Sequence, residues 1–188
     1  NIPSKSGLGG GSMNAASILK FLIKRKLIKI SNKKMKIITS LIGSDVILGM
    51  YSRNLVLKSN NTIKVLNNKK KINVLVVKPN FGCSTKKIYS KVKNYKKRQF
   101  KRFSKKMFSF ENLKKMHNDL EFIVLNKNHN LNILKNFLEN LSGVEFTRMT
   151  GSGSAIIAYF KTAKMCKEGE KKVKKQFRNY WCKSSITI

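Results

Sequence analysis

The N-terminal segment Pro3–Ala16 constrains the fold of this chain more than any other part of its sequence. Four of the five residues from Gly7 to Gly11 are glycine, so the backbone there can adopt positive φ angles and bring its N–H groups close to an anion. Apolar residues then recur at helical spacing as far as Ile23, which predicts a helix directly after the glycines and disfavours a flexible linker. Because a helix N-terminus attracts anions, the segment predicts a phosphate-binding loop.

The loop differs from the two common phosphate motifs. The chain has no Gly-x-x-x-x-Gly-Lys-Ser/Thr sequence, and no predicted strand precedes the glycines. Its sequence resembles instead the second motif of the GHMP kinase superfamily of small-molecule kinases, in which this loop surrounds the phosphates of ATP. The resemblance implies ATP binding by Pro3, Ser6, Gly7, Leu8, Gly9, Gly10, Gly11, Ser12 and Met13.

Further segments resemble the same superfamily in the same order. Gly43-Ser44-Asp45-Val46 lies at the expected distance, with Asp45 following Pro3 by 42 residues, and 148–155 resembles the third motif. The resemblance implies that Asp45 is the catalytic general base. From the residues alone, Asp45 would be a helix N-cap or a turn residue. The shorter matches are Lys78-Pro79, 84–89 and Asn118-Asp119-Leu120-Glu121, of which the last is expected to be structural.

These segments are most similar to the branch that phosphorylates the 2-hydroxyl of a cytidine diphosphate-linked methylerythritol in the non-mevalonate isoprenoid pathway. The resemblance implies that Tyr89 stacks on the cytosine and that Thr85 shares its helical face, with an ordinary core aromatic as the equal alternative for Tyr89. It also implies a second turn at the nucleotide site, formed by Gly151, Ser152 and Gly153. ATP and Mg²⁺ are the implied cofactors.

The match covers the last two thirds of the family's usual length, so we expect a fragment that lacks the first motif with its partner lysine and is inactive alone. Within the match, three departures affect the site. Met13 stands where the family most often has a second serine, which removes a Mg²⁺ ligand, and 47–49 is Ile-Leu-Gly in place of Pro-Phe-Phe. Residues 58–62 replace a Gly-x-Gly-Glu segment. A reshaped substrate pocket is therefore expected.

The formal net charge of +33 raises the alternative of a basic RNA-binding protein. The lysines are scattered through every predicted element and accompany many Asn and Ile residues, a composition typical of an AT-rich genome. The densest stretch, 91–106, interleaves aromatic residues with cations and is interpreted as a solvated insertion. A nucleic-acid partner is therefore less favoured than a small-molecule substrate, and another GHMP kinase, of the homoserine or mevalonate type, is the alternative among enzymes.

Other features bound the class of protein. No apolar run is long enough to cross a bilayer, so no membrane association is expected. Cys83, Cys166 and Cys182 lack metal-ligand spacing and are odd in number, which favours free thiols in a reducing cytoplasm, and no metal site of protein side chains is predicted. The sequence leaves monomer and homodimer open.

The predicted fold is α+β, with part of the N-terminal domain of a GHMP kinase over 1–68 and its ferredoxin-like C-terminal domain over 69–188. The predicted helices are 14–29, a short one before Asp45, 85–92, 113–125, one over 131–141 that stops at Gly143, and 162–178. The predicted strands are 55–57, 63–65, 72–77, 144–148 and 155–160.

Overall fold

A computed structural model of the chain describes residues 3–58, 62–66, 71–92 and 104–187. They form two compact units: one comprises the described residues of Asn1–Leu8 and Lys70–Thr187, and the other those of Gly9–Lys69. The kinase domains expected over 1–68 and 69–188 remain a prediction. Residues 3–8 lie in the same unit as the C-terminal residues because their backbone is hydrogen-bonded there.

The described residues of the unit Gly9–Lys69 form three helices and a strand pair. These are α1 (Gly10–Lys24), α2 (Asn32–Ile42), α3 (Val46–Gly49), β1 (Leu55–Leu57) and β2 (Ile63–Val65). The two strands coincide with the predicted ones and pair antiparallel, with Leu55 opposite Val65. The buried side chains that join α1 to α3 include Ala16 and Val46, each 1% exposed.

Helix α1 begins four residues before the predicted start and ends five residues before the predicted end. It stops because Lys26 adopts φ +57° and the chain forms a Schellman motif, in which Leu27 N–H donates to Leu22 C=O and Lys26 N–H donates to Ile23 C=O. Glycine usually occupies the left-handed position of this motif. The lysine there explains why the sequence gives no stop signal.

The larger unit is built on a four-stranded sheet. Its elements are β3 (Asn73–Lys78), α4 (Thr85–Tyr89), a 3₁₀ helix (Lys105–Phe108), α5 (Phe110–Lys115), α6 (Asp119–Leu125), α7 (His129–Glu139), β4 (Val144–Met149), β5 (Ile156–Phe160), α8 (Ala163–Gln176) and β6 (Trp181–Ile186). The strand order is β4-β5-β3-β6 and every neighbouring pair is antiparallel. This is the ferredoxin-like split βαβ arrangement, which confirms the predicted α+β fold class.

The core of this unit lies between one face of the sheet and its helices. Along β5, Ile156, Ala158 and Phe160 are fully buried while Ile157 and Tyr159 alternate to the other face. Helix α7 covers the buried face with Leu131, Leu134 and Leu138, all 0% exposed. These leucines recur at the spacing from which the helix was predicted.

Two predictions for this unit are wrong. The helix expected over 113–125 is two helices, because Met116 is extended and Asn118 starts α6 by accepting a hydrogen bond from Leu120 N–H. The strand β6 was not predicted, since Lys183, Ser184 and Ser185 break the apolar alternation that marks a strand. Strand β6 is formed by its antiparallel pairing with β3.

Most of the basic stretch, at 93–103, lies outside the described residues.

Acid destabilisation of this unit is expected to depend on Glu170. Its carboxylate accepts hydrogen bonds from Ser184 N–H of β6 at 3.0 Å and from Lys174 Nζ at 2.5 Å. Burial opposes ionisation of this group, but the bonds from Lys174 and Ser184 outweigh it and lower the pKa of Glu170 to about 2. Since the folded pKa lies below the unfolded one, this stabilisation is present above pH 4.5 and is lost as the pH falls towards 2.

Glu170→Gln should therefore lower the free energy of unfolding near neutral pH by roughly 1–3 kcal/mol, the range for hydrogen bonds to a charged group. The difference between the variant and the parent protein should shrink as the pH falls from 4.5 to 2. Urea unfolding at a series of pH values measures both effects. The exposed Glu168 of the same helix supplies the control Glu168→Gln. A difference for Glu170→Gln that is independent of pH would contradict the prediction.

Candidate functional site

The first half of the glycine-rich loop is bound to the second glycine-rich turn. Ser6 C=O accepts from Ala155 N–H at 3.1 Å, and Gly7 C=O accepts from the Thr150 hydroxyl at 3.0 Å. Gly7 has φ +73°, and a Cβ at this position would lie 2.2 Å from Thr150 O and 2.9 Å from Gly153 N. Glycine is therefore required at residue 7, for its backbone conformation and for the approach of the turn.

A third turn supports the same loop from the end of β3. A Cβ on Gly82 would lie 2.6 Å from Lys5 Cβ, so the two backbones approach closely. Phe81 C=O accepts from the Ser154 hydroxyl at 2.6 Å and from Lys78 Nζ at 2.8 Å. Burial lowers the pKa of Lys78, whose ammonium group also donates to a second carbonyl, that of Pro79, at 2.8 Å. These bonds hold the backbone beneath residues 3–8 in one arrangement.

The second half of the loop begins helix α1 with free amide groups. Gly9 is the N-cap residue, with φ +67° and no side-chain cap, and the first α-helical hydrogen bond runs from Met13 N–H to Gly9 C=O at 2.9 Å. The N–H groups of Gly10, Gly11 and Ser12 precede that bond and have no acceptor within the helix. The first turn contains no acidic residue. This helix end fits an anion such as a phosphate.

Met13 has a packing role in this unit. Its terminal methyl carbon and sulfur lie 3.0 and 3.1 Å from the position that a Cβ on Gly49 would take. Ser12 remains half-buried next to the free amide groups. A hydroxyl ligand is therefore available at residue 12 and not at residue 13.

Asp45 occupies the start of α3. It is the N-cap residue, but its side chain makes no cap hydrogen bond; the carboxylate accepts from the Ser44 hydroxyl at 3.2 Å and is exposed. Helix α3 packs tightly on α1, since a Cβ on Gly49 would lie 2.6 Å from Ala16 Cβ. The packing fixes Asp45 relative to the helix that follows the loop and leaves its carboxylate exposed.

The two residues expected at the substrate lie on α4. The Thr85 hydroxyl is 2.9 Å from the hydroxyl of Ser152, which is 6% exposed. This contact joins α4 to the second glycine-rich turn. Tyr89 is 50% exposed, which does not fit a core aromatic and leaves a ring face accessible.

Tyr89 borders a cavity of about 470 Å³ that sequence reasoning missed. The cavity lies on the sheet face opposite the core, where Ile157 and Tyr159 of β5 line it. Its other lining residues are His117, Asn118, Asp119, Leu120, Arg148, Met149, Thr150 and Gly151. No sequence pattern connects these residues, because they come from α4, from the start of α6 with the two residues before it, and from β4, β5 and the turn between these strands.

The polar wall of this cavity is preorganised. Arg148 donates to Leu113 C=O at 2.8 Å, and its guanidinium carbon lies 5.0 Å from the centre of the Phe146 ring. Burial raises the pKa of Tyr159, whose ring stacks on Phe146. His117 Nε2 lies 3.0 Å from Asp119 Oδ1. The wall thus combines aromatic surface with groups that can bind a polar ligand.

Among the described residues, no group of three His, Cys, Asp or Glu side chains could hold a metal ion. Cys83, Cys166 and Cys182 are buried free thiols. In the part of the chain that the structure describes, no helix is both long and apolar enough to span a membrane. Mg²⁺ is often held by one or two protein ligands together with substrate phosphates, so a single carboxylate and a hydroxyl suffice for it.

The chain is similar to one group of kinases. No protein-family model matches the chain. A Pelagibacter ubique protein named 4-diphosphocytidyl-2-C-methyl-D-erythritol kinase is 50% identical over 188 residues, which is 100% of this chain and 67% of the relative. A Clostridium botulinum protein of the same name is 36% identical over 168 residues, or 85% of this chain and 59% of the relative.

Two solved structures show the same fold. The crystal structure of a 4-(cytidine 5'-diphospho)-2C-methyl-D-erythritol kinase covers all of this chain with a TM-score of 0.77 at 20% identity, and the chain covers 69% of it. The homoserine kinase of Cytophaga hutchinsonii covers all of this chain with a TM-score of 0.71 at 13% identity, with 67% of that structure covered.

The chain therefore spans between 59% and 67% of the length of the two curated relatives. The predicted resemblance to the GHMP kinases is confirmed by these relatives and by the fold. With half of its residues identical to the Pelagibacter ubique protein along its entire length, the chain belongs to the 4-diphosphocytidyl-2-C-methyl-D-erythritol kinase family.

Proposed function

We propose that the whole protein transfers the γ-phosphate of ATP to the 2-hydroxyl of 4-diphosphocytidyl-2-C-methyl-D-erythritol. The observation that carries this proposal is the contact between the two glycine-rich segments, in which Ser6 and Gly7 bind the 150–155 turn. The contact supports the assignment because Ser6 and Gly7 belong to the same glycine-rich segment whose next residues form the uncapped start of α1. The free thiols support a reducing compartment such as the cytoplasm.

We assign the nucleotide phosphates to the loop residues Pro3, Ser6, Gly7, Leu8, Gly9, Gly10, Gly11, Ser12 and Met13. In phosphoryl transfer the protein mainly positions the reactants and neutralises negative charge. The free N–H groups at the start of α1 can do both, since they point at an anion without rearranging. Gly151, Ser152 and Gly153 form the second turn at the nucleotide site, and the residues on either side of them, Thr150 and Ala155, hold the loop.

Mg²⁺ accompanies ATP in this proposal and neutralises charge on its phosphates. Ser12 would contribute a hydroxyl oxygen, because it is half-buried beside the free amide groups. Met13 cannot contribute, since a thioether is a poor ligand for a hard cation and this side chain packs on Gly49.

Asp45 takes the role of general base. Its exposed carboxylate can accept the proton of the substrate hydroxyl, or orient that hydroxyl, while the Ser44 hydroxyl stabilises one of its oxygens. Helix α3 supplies the rigid support that such a role requires, because it is packed on α1 at Gly49. Neither contact is with the N–H groups at the start of α1 that are assigned to the phosphates, so base function and ATP binding should be separable.

The cytosine of the substrate is assigned to Tyr89, with Thr85 on the same helix. The half-exposed ring of Tyr89 offers a face for stacking, and the bond between Thr85 and Ser152 holds α4 against the second turn. Tyr89→Ala should raise the KM for the cytidine substrate about 5- to 150-fold, since stacking of a base on an aromatic ring contributes about 1–3 kcal/mol. Steady-state kinetics at saturating ATP measure it. Tyr89→Phe, which keeps the ring, should be close to the parent, and an equal effect of both substitutions would contradict the stacking role.

The proposed function is tested by ADP release from the whole protein. The acceptors are 4-diphosphocytidyl-2-C-methyl-D-erythritol, mevalonate and homoserine, each with ATP and Mg²⁺. Turnover of the cytidine compound alone is the expected result. Turnover of homoserine or mevalonate would show that the assigned substrate is wrong and that the protein is nevertheless a small-molecule kinase. No turnover together with retention on RNA at moderate salt would favour the RNA-binding alternative.

A further inference from the structure

Two side chains at the start of helix α6 form hydrogen bonds with the backbone at the end of strand β4. Asn118 Nδ2 donates to Met149 C=O at 2.9 Å and to Gly151 C=O at 2.8 Å. Glu121 Oε2 accepts from Met149 N–H at 3.1 Å. Both backbone groups of Met149 and the carbonyl of Gly151 are therefore bound by α6. This set of three hydrogen bonds is called the α6 clamp below.

The α6 clamp acts directly on the residue that binds the glycine-rich loop. Thr150 lies between the two carbonyls that Asn118 holds, and its hydroxyl donates to Gly7 C=O. Thr150 N–H also donates to Ala155 C=O at 3.0 Å, and Ala155 N–H donates to Ser6 C=O. A change in the backbone at 149–151 must therefore move the acceptors and donors that hold Ser6 and Gly7.

We propose that Asn118 is a positioning residue for nucleotide binding: by fixing the 149–151 backbone, it sets the conformation of the glycine-rich loop. The inference rests on the proposed function, because it takes that loop as the site of the ATP phosphates. It gives a physical role to the Asn-Asp-Leu-Glu segment, 118–121, whose contribution is otherwise unexplained. Asn118 needs no contact with the nucleotide for this role.

The chemistry of an asparagine amide matches the three groups around it. The two carbonyl acceptors require the NH₂ end, and Leu120 N–H, at 3.0 Å from Oδ1, requires the oxygen end. This pattern fixes the orientation of the amide without ambiguity. An aspartate would keep the helix-capping oxygen and lose both donors, and its charge would face two carbonyl oxygens. Asn118→Asp thus removes the two amide hydrogen bonds of the clamp, leaves the bond of Glu121, and retains the cap.

Glu121 adds a second, charged support. Its carboxylate is 3.5 Å from Lys135 Nζ of α7, and Lys135 also pairs with Glu139, whose carboxylate accepts from the Thr147 hydroxyl at 2.9 Å. These contacts tie the end of β4 to α6 and α7. The turn is therefore held by neighbouring helices as well as by its own hydrogen bonds.

The test compares Asn118→Asp with a matched control, Asn128→Asp, in the whole protein. Asn128 also donates from Nδ2 to a backbone carbonyl, that of Val124, at 2.9 Å, and lies at the start of α7. The readouts are the Kd for ATP, the KM values for ATP and for the cytidine substrate, the melting temperature, and amide hydrogen exchange at Leu8, Gly153 and Ala155.

Asn118→Asp is expected to weaken ATP binding about tenfold, because two backbone carbonyls lose their donor. Its KM for ATP should rise by a similar factor while the KM for the cytidine substrate stays within about twofold. Exchange at Gly153 and Ala155 should accelerate. Asn128→Asp should leave all of these values near those of the parent.

Two results would overturn the inference while the proposed function stands: ATP affinity of Asn118→Asp within about twofold of the parent, or a loss of affinity that both variants share in proportion to their loss of melting temperature. If the parent protein itself fails to bind ATP, the proposed function fails and the inference with it. The exchange measurement distinguishes these cases, since it reports on the clamp in the absence of nucleotide.

Discussion

Gly7→Ala is expected to abolish ATP binding and to lower the free energy of unfolding by about 3 kcal/mol or more, from the cost of a non-glycine residue at positive φ together with that of overpacking. The new Cβ would stand 2.2 Å from Thr150 O and 2.9 Å from Gly153 N. Both obstacles are backbone atoms, and Thr150 is tied to Gly7 and Ala155 by hydrogen bonds. The loop must therefore leave the second turn. Isothermal titration with ATP and urea unfolding measure the two effects.

Gly9→Ala is the matched comparison for Gly7→Ala. Gly9 has nearly the same backbone angle, φ +67° against +73°, but a Cβ there would have nothing within 4 Å. Gly9→Ala should lower the free energy of unfolding by about 1 kcal/mol, which is the cost of a non-glycine residue at positive φ without a steric clash. If the two variants lose equal stability, the close approach of the second turn to residue 7 contributes nothing to stability. The contact between Gly7 and the 150–155 turn would then be wrong.

Asp45→Asn is expected to reduce kcat by about 10²–10⁴-fold, the usual contribution of a general base. The substitution keeps the shape of the side chain and removes its capacity to accept a proton. Stability should be almost unchanged, because Asp45 is exposed and its side chain makes no cap hydrogen bond. The Kd for ATP should also be unchanged. Single-turnover kinetics with the cytidine substrate, alongside ATP titration, measure the two quantities separately.

Ser44→Ala provides a graded comparison, since it removes only the hydroxyl that donates to Asp45 at 3.2 Å. We expect it to lower kcat less than tenfold, because a single hydrogen bond contributes about 1 kcal/mol. If the kcat of Asp45→Asn is within a few-fold of that of the parent, Asp45 is not the general base. Loss of ATP affinity in that variant would place Asp45 at the nucleotide instead of the acceptor hydroxyl.

The elements that could be predicted are those whose local pattern and tertiary environment agree. The leucines of α7 recur at helical spacing and all face the core, and the strands 55–57 and 63–65 lie where alternation indicates them. Elements without such a pattern were missed. The strand β6 is polar in half of its residues, Lys183–Ser185, and forms because β3 offers it an unpaired edge.

The break between α5 and α6 shows the same limit. A run of helix-compatible residues extends over 113–125, and nothing local ends it at Lys115. The break forms because Asn118 satisfies Leu120 N–H and two carbonyls of the distant 149–151 backbone at once. A continuous helix would leave those carbonyls without this donor.

The glycine-rich loop, the helix that follows it, the α+β class and the membership in a kinase family can be inferred from the local sequence, because short-range patterns and motif residues carry that information. The requirement for glycine at residue 7, the cavity beside Tyr89 and the role of Asn118 arise from tertiary contacts. Each of these depends on residues more than 25 positions away in the chain, such as Thr150 beside Gly7, Gly151 beside Asn118 and His117 in the cavity that Tyr89 borders. A sequence pattern specifies side chains and their spacing. It does not show which distant carbonyl will accept a hydrogen bond from a given side chain, or which one will lie too close to a residue for that residue to carry a Cβ.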